Sequence, residues 1–314
     1  MTPDLLCLGE PMLEFNQQPA PPDAPPGAAR LYLEAHGGDT SNAAVAAARQ
    51  GVSVGYLSAI GDDPAGHSLA ALWAAEGVDA THVLRDPDHP TGIYVVTHGP
   101  RGHAFTYYRA GSAASHYAPR HVPEAAVRSA RVLYASGISA GISASAADAV
   151  FYAVGLARDA GVEVAFDTNY RPRLWPASRA AAVIQALVAR ASVALPGLED
   201  AEALTGLTDP DAVLDHYLRL GPRVVVLKMG ARGTALATAD LRVRIPPFPC
   251  RPVDATGAGD TFCGAFLARL ILGDPAESAA RYAACAAALS TEGYGAVPPI
   301  PRAERVRAAL AESR

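Results

Sequence analysis

The chain has 314 residues, 50% of them hydrophobic and 18% charged, with a net charge of −5 at pH 7. That length suffices for the core of one large α/β unit or of two domains. The negative balance and the lack of any run of five or six like charges argue against nucleic acid as a partner. No apolar stretch reaches the ~18 residues of a membrane helix. The short apolar run near the start has no basic segment before it, so no secretory signal is expected and the chain reads as cytoplasmic.

In chain order, 5–10 (LLCLGE) is an unbroken apolar run ending in Gly, the pattern of a strand covered on both faces. A Pro-rich loop over 19–27 leads to a short alternating segment at 31–34. Residues 40–51 (TSNAAVAAARQG) predict an Ala-rich helix capped by Thr40 or Ser41 and stopped by Gly51. A strand at 52–60 precedes a helix at 64–76, with Pro in its first turn and Gly77 at its end. Residues 92–98 (GIYVVTH) and 103–109 (HAFTYYR), joined by 99–102, predict a β-hairpin. Strands at 131–135, 162–167 and 224–227 alternate with helices at 144–160 and 211–220, and the chain is mainly helical from 257 onward.

Strands alternating with helices imply a mostly parallel sheet between helical layers. The chain is therefore read as one α/β domain over 1–314, with a small β lid from segments near 12–36 and 90–115. Its four cysteines are far apart, at no zinc spacing, and read as buried thiols. Of 26 basic residues only Lys228 is a lysine. A GC-rich genome accounts for the excess of Arg, but not for the place where Lys is kept.

Four motifs carry chemistry. In 254–262 (DATGAGDTF), Gly257 and Gly259 flank Ala258 in a turn whose N–H groups, with a helix N-terminus, favour a phosphate or oxyanion. Asp260 follows in the first helical turn, where it could take a proton from an attacking hydroxyl; a Gly-rich turn capped by Asp fits the same residues. In 37–42 (GGDTSN), Gly37 and Gly38 permit close ligand approach, and Asp39 and Asn42 suit sugar hydroxyls. A capped helix explains that motif as well. The segment 167–175 (DTNYRPRLW) ends a strand and supplies Arg171 and Arg173; with Arg109 these could grip a carboxylate or phosphate, or be solvated charges. In 228–233 (KMGARG), Lys228, Gly230 and Gly233 form a turn that could border a nucleotide or simply end a strand.

A fifth stretch, 137–141 (GISAG), matches the GxSxG nucleophile elbow. A hydrolase triad would also need a downstream His. His216, the only histidine after His121, falls inside the helix at 211–220, so the hydrolase reading is set aside.

Together these motifs resemble the ribokinase-like (PfkB) carbohydrate kinase family over nearly the whole chain. GEPMLEF at 9–15, FTYYR at 105–109 and DTNYRPRLW are most similar to kinases of 2-keto-3-deoxygluconate. The resemblance implies a three-layer α/β/α sandwich with a β-sheet lid, ATP with Mg²⁺, and transfer of the γ-phosphoryl to a sugar hydroxyl. It further implies that Gly37, Gly38, Asp39 and Asn42 hold the sugar, Tyr94 and Tyr107 line the lid, and Arg109 and Arg171 engage the substrate. Asp260 would be the base, beside an anion hole at Gly257, Ala258 and Gly259. Asn169, Arg171, Lys228, Gly230 and Gly233 would border ATP, with Gly257 and Gly259. Relatives often assemble through their lids, so a homo-oligomer is expected.

Where many relatives carry NxxE, this chain has Gly197 and Asp200, which leaves the metal ligands unassigned. Two guanidinium groups favour a sugar acid over a neutral sugar. A kinase of fructose, ribose or adenosine, or a non-catalytic sugar-binding module, remain the alternatives.

Overall fold

A computed structural model describes residues 2–18, 25, 29–99 and 102–313. Most of the Pro-rich loop and the hairpin tip at 100–101 lie outside the described residues. The first half of the chain forms β1 (Leu5–Leu8), β2 (Met12–Gln17), β3 (Tyr32–Gly37), α1 (Asp39–Arg49), β4 (Val54–Gly61), α2 (Pro64–Glu76), β5 (Val78–Asp79), β6 (Val83–Asp86), β7 (Ile93–Gly99) and β8 (Gly102–Tyr108). After them come α3 (Glu124–Ser129), β9 (Val132–Ser136), α4 (Gly137–Gly141), α5 (Ala144–Asp159), β10 (Glu163–Asp167), α6 (Ala177–Val188), β11 (Val193–Ala194), α7 (Leu198–Thr205) and α8 (Pro210–Leu220). The chain closes with β12 (Val224–Lys228), β13 (Thr234–Ala237), β14 (Arg242–Ile245), α9 (Ala258–Ile271), α10 (Ala276–Ser290) and α11 (Ala303–Glu312).

The large sheet has the order β14-β13-β12-β11-β10-β9-β1-β4-β5, with β6 also paired to β4. It is parallel from β12 to β5; only β13 and β14 run antiparallel at one edge. Strand periodicity divides the core in two. Leu5 and Cys7 face α1, α9 and α10, whereas Leu6 and Leu8 face α5, α6 and α8. This is the three-layer sandwich expected. The segments expected to form the lid make a separate sheet, ordered β3-β2-β7-β8.

The helix at 64–76 follows its sequence signals: Asp63 caps it by accepting from Gly66 N–H, Pro64 opens it, and Gly77 closes it in the left-handed conformation. Helix α1 departs from expectation. It starts at Asp39 and ends at Arg49, and its N-cap is Gly38, with no side-chain cap. Thr40 and Ser41 do not cap because their hydroxyls are used inside the core: Thr40 Oγ1 lies 2.9 Å from Tyr56 Oη, and Ser41 Oγ accepts from Trp73 Nε1 at 3.0 Å.

Helices α1 and α9 pack backbone to backbone. A Cβ added at Gly264 would lie 2.2 Å from the Ala43 carbonyl oxygen, so only Gly allows the approach. Gly264→Val is expected to cost about 1–3 kcal/mol through overpacking. Chemical denaturation would show it as a lower midpoint with unchanged slope.

Candidate active site

The chain runs from β1 to β4 on one side of the large sheet and then returns to β9 on the other side of β1. Strand order therefore reverses at β1, and ligands of open α/β sheets gather at such a crevice, beyond the carboxyl ends of the strands. The motifs expected to carry chemistry meet there.

Gly38 adopts φ +97°, and a Cβ on it would lie 2.3 Å from the Glu10 carbonyl oxygen. This packing sets the start of α1 and directs its first turn into the crevice. Gly257 caps α9 at φ +74°, packed against Ala296. The two helix N-termini thus converge, and Asn42 Nδ2 donates to Asp260 Oδ2 at 2.8 Å. From β10, Asn169 Nδ2 donates to Asp39 Oδ2 at 2.7 Å. Lys228, at the end of β12, donates to Asp167 Oδ2 at 2.5 Å and lies 3.3 Å from Cys263 Sγ. Its Nζ would be 3.9 Å from a Cβ on Gly259, so the lone lysine stands beside the glycine turn at the head of α9. Asp200 accepts from Thr168 Oγ1 at 3.0 Å.

Four carboxylates, Asp39, Asp167, Asp200 and Asp260, therefore share the crevice with one ammonium group. Burial pushes the Asp260 carboxyl well above the usual range, and the Asp39 charge adds to the effect, partly offset by Asn42 and Lys228. Asp39 is raised by burial and by Asp167. Asp200 is pushed up to about 6 by burial and Asp167. Burial alone would lower the Lys228 ammonium, but the Asp167 carboxylate raises it above its usual value. A carboxylate with a raised pKa, next to a helix N-terminus, can accept a proton at a point where transferring negative charge is stabilised.

The small sheet covers this crevice. Tyr94 and Tyr107 are cross-strand partners with ring centroids 5.8 Å apart, and the Tyr94 hydroxyl lies against Gly37. Arg109 differs from the free fork expected of it: its Nη2 donates to Glu10, which is buried and also accepts from Ser112 Oγ at 2.5 Å. Arg109 also stacks over Tyr107, 5.7 Å from the ring centroid. Arg171 is exposed at the rim and donates to the Tyr170 carbonyl at 3.0 Å, leaving most of its donors open to a ligand. Arg173 ties this rim to the small sheet through the Phe105 carbonyl, 2.6 Å away. Gly233 turns the chain between β12 and β13 at φ +83°, while Gly230 opens to free space.

Two buried acids, Glu10 and Glu14, were given no role from sequence. Glu10 ends the apolar run at 5–10 and Glu14 falls in the lid segment near 12–36, but their partners Arg109 and Tyr94 are 99 and 80 residues away. Ser139 is no nucleophile: it forms a capping box with Ser136 at the start of α4 and donates to the Leu8 carbonyl at 2.8 Å. His216 sits on α8 against Tyr217, in a different part of the chain's packing.

Comparison with known proteins identifies the family. The description "pfkB family carbohydrate kinase" matches residues 3–303. A 2-dehydro-3-deoxygluconokinase of Thermoproteus tenax is 33% identical, over 98% of this chain and 94% of its own. A 2-dehydro-3-deoxygalactonokinase of Haloferax volcanii is also 33% identical, over 94% and 93%. Among solved structures, a fructokinase from Xylella fastidiosa with bound ATP superposes with a TM-score of 0.89 at 26% identity, covering 98% of each chain. The chain belongs to the pfkB family of carbohydrate kinases.

Proposed function

We propose that this kinase phosphorylates 2-keto-3-deoxygluconate at its terminal hydroxyl, using ATP, to give the 6-phosphate. The observation that carries the reading is Asp260, held by Asn42 at the head of α9 with one carboxylate oxygen left for a ligand. That oxygen accepts the hydroxyl proton as the sugar oxygen attacks the γ-phosphorus. The N–H groups of the turn at Gly257, Ala258 and Gly259 then meet the charge on the transferring group.

Among the described residues no three His, Cys, Asp or Glu side chains lie together as a metal cage. Mg²⁺ keeps several waters and binds through one or two carboxylates plus substrate phosphates. Asp200 and Asp167 would hold such an ion, which would draw charge off the phosphates.

A sugar acid is favoured by the rim guanidinium of Arg171 and by the substrates named for the two relatives at 33% identity. A neutral sugar is the second reading, because Glu10 already neutralises Arg109. Arg171→Ala separates the two. It should raise KM for a sugar acid by on the order of 10-fold or more, the value of a charged hydrogen bond, and leave a neutral sugar unaffected. ADP release measured over sugar acids, neutral sugars and nucleosides tests the whole reading, which fails if no sugar acid is turned over.

A further inference from the structure

Tyr94 has one hydroxyl proton, and it is donated in a hydrogen bond to a buried acid. Glu14 lies on β2 directly opposite Tyr94 on β7, fully shielded from solvent. Its Oε2 accepts from the Tyr94 hydroxyl, its Oε1 accepts from Asn16 Nδ2 at 2.8 Å, and the Ala296 backbone N–H also points to it. These three hydrogen-bond partners are all donors, the set that an acceptor-only carboxylate takes. Burial, with the nearby Asp254 charge, pushes the Glu14 carboxyl up, and the Tyr94, Asn16 and Ala296 donors offset part of that rise. The Tyr94 phenol is raised far above its usual value by burial and by Glu14, so it keeps its proton.

With that proton committed, the Tyr94 oxygen offers the site lone pairs only. It packs against Gly37, where a Cβ would lie 2.2 Å from it, so only Gly there lets the hydroxyl sit at the entrance to α1. Gly37 leads into α1, whose Asn42 holds Asp260, so a ligand that reaches this oxygen is the one seated at the base.

We infer that Glu14 is a specificity-determining positioning residue: by fixing the Tyr94 proton it makes this point of the sugar site accept a hydroxyl and reject a carbonyl or carboxylate oxygen. Applied to the proposed substrate, on which this orientation rests, a secondary hydroxyl meets Tyr94. The keto and carboxylate end then lies away from it, towards Arg171. The polarity itself does not depend on which sugar binds.

The test compares kcat/KM for the sugar that the wild type phosphorylates with kcat/KM for its mono-deoxy analogues. A site that hydrogen-bonds a substrate hydroxyl strongly rejects the analogue lacking it. The wild type should lose on the order of 10²-fold on one analogue. In Glu14→Gln the amide keeps the acceptor for Asn16 and turns its NH₂ towards Tyr94, so the phenol proton swings to the ligand. That variant should lose activity on the parent sugar and discriminate the same analogue by less than about threefold, with KM for ATP unchanged. Tyr94→Phe should abolish discrimination of that one analogue too, and combining it with Glu14→Gln should add nothing further.

Glu14→Gln or Tyr94→Phe retaining wild-type discrimination overturns the inference. If the wild type proves to act on a neutral sugar, the sugar-acid reading fails, and the same series run on that sugar still decides the role of Glu14.

Discussion

Replacing Asp260 with Asn is expected to lower kcat by about 10²-fold or more while leaving KM for ATP nearly unchanged, because on the proposed function it removes the proton acceptor and little else. The shape of the site survives the change. Asn42 donates to one oxygen of Asp260 now, and an Asn side chain can present its carbonyl oxygen to the same donor. Its NH₂ then faces the attacking hydroxyl, a donor where an acceptor is needed. ADP release at saturating ATP and sugar reads the loss, and near wild-type turnover would remove Asp260 from the mechanism.

The raised Asp260 carboxyl adds two pH signatures. Protonated, it cannot act as base, so wild-type kcat should fall as pH drops through the raised pKa, and this limb should be missing in Asp260→Asn. Stability runs the opposite way. A carboxyl whose folded pKa lies above its unfolded value stabilises fully only below the unfolded value of ~3.9, and that contribution is lost as pH rises through the folded one. Asp260→Asn should therefore melt higher than the wild type, with a gap that opens above pH ~4 and levels off beyond the raised pKa. A variant less active yet more stable is what a functional site held under electrostatic strain produces.

Much of this architecture was legible in the residues. The order of strands and helices, the small sheet and the crevice at the strand ends follow from apolar runs, Gly and Pro punctuation and the glycine motifs. The N-terminus of α1 was misread for a physical reason. Thr40 and Ser41 look like caps, but both are buried and bonded to Tyr56 and Trp73, and backbone contact between Gly38 and Glu10 starts the helix instead. Arg109 reads from the sequence as a cation that engages substrate, because nothing local shows that Glu10, just beyond the end of β1, closes on it. Side-chain pairing across separate strands is the information that spacing and periodicity lack.

Lys228 shows the same limit from the other side: its rarity was visible, and its partners were not. The lone lysine is the buried counter-charge of Asp167, one of four acids in a crevice where Arg171 stands only at the rim. Lys228→Met keeps roughly the side chain's length and removes the charge, leaving Asp167 buried at 1% exposure without its ion pair. Breaking a buried pair in this way costs about 3 to 5 kcal/mol, which denaturant unfolding would measure directly. Lys228 also holds down the carboxyls of Asp260 and Asp200. Its loss should therefore move the acid limb of kcat to higher pH, so the variant is most impaired at or below neutrality and partly recovers in alkali. Lys228→Arg separates charge from shape. A guanidinium restores the field at Asp260 and should return the limb towards its wild-type position, even where its bulk beside Cys263 and Gly259 lowers turnover. If Lys228→Met matches the wild type in both stability and pH profile, the charge at that point is idle, and genome composition alone accounts for the lysine.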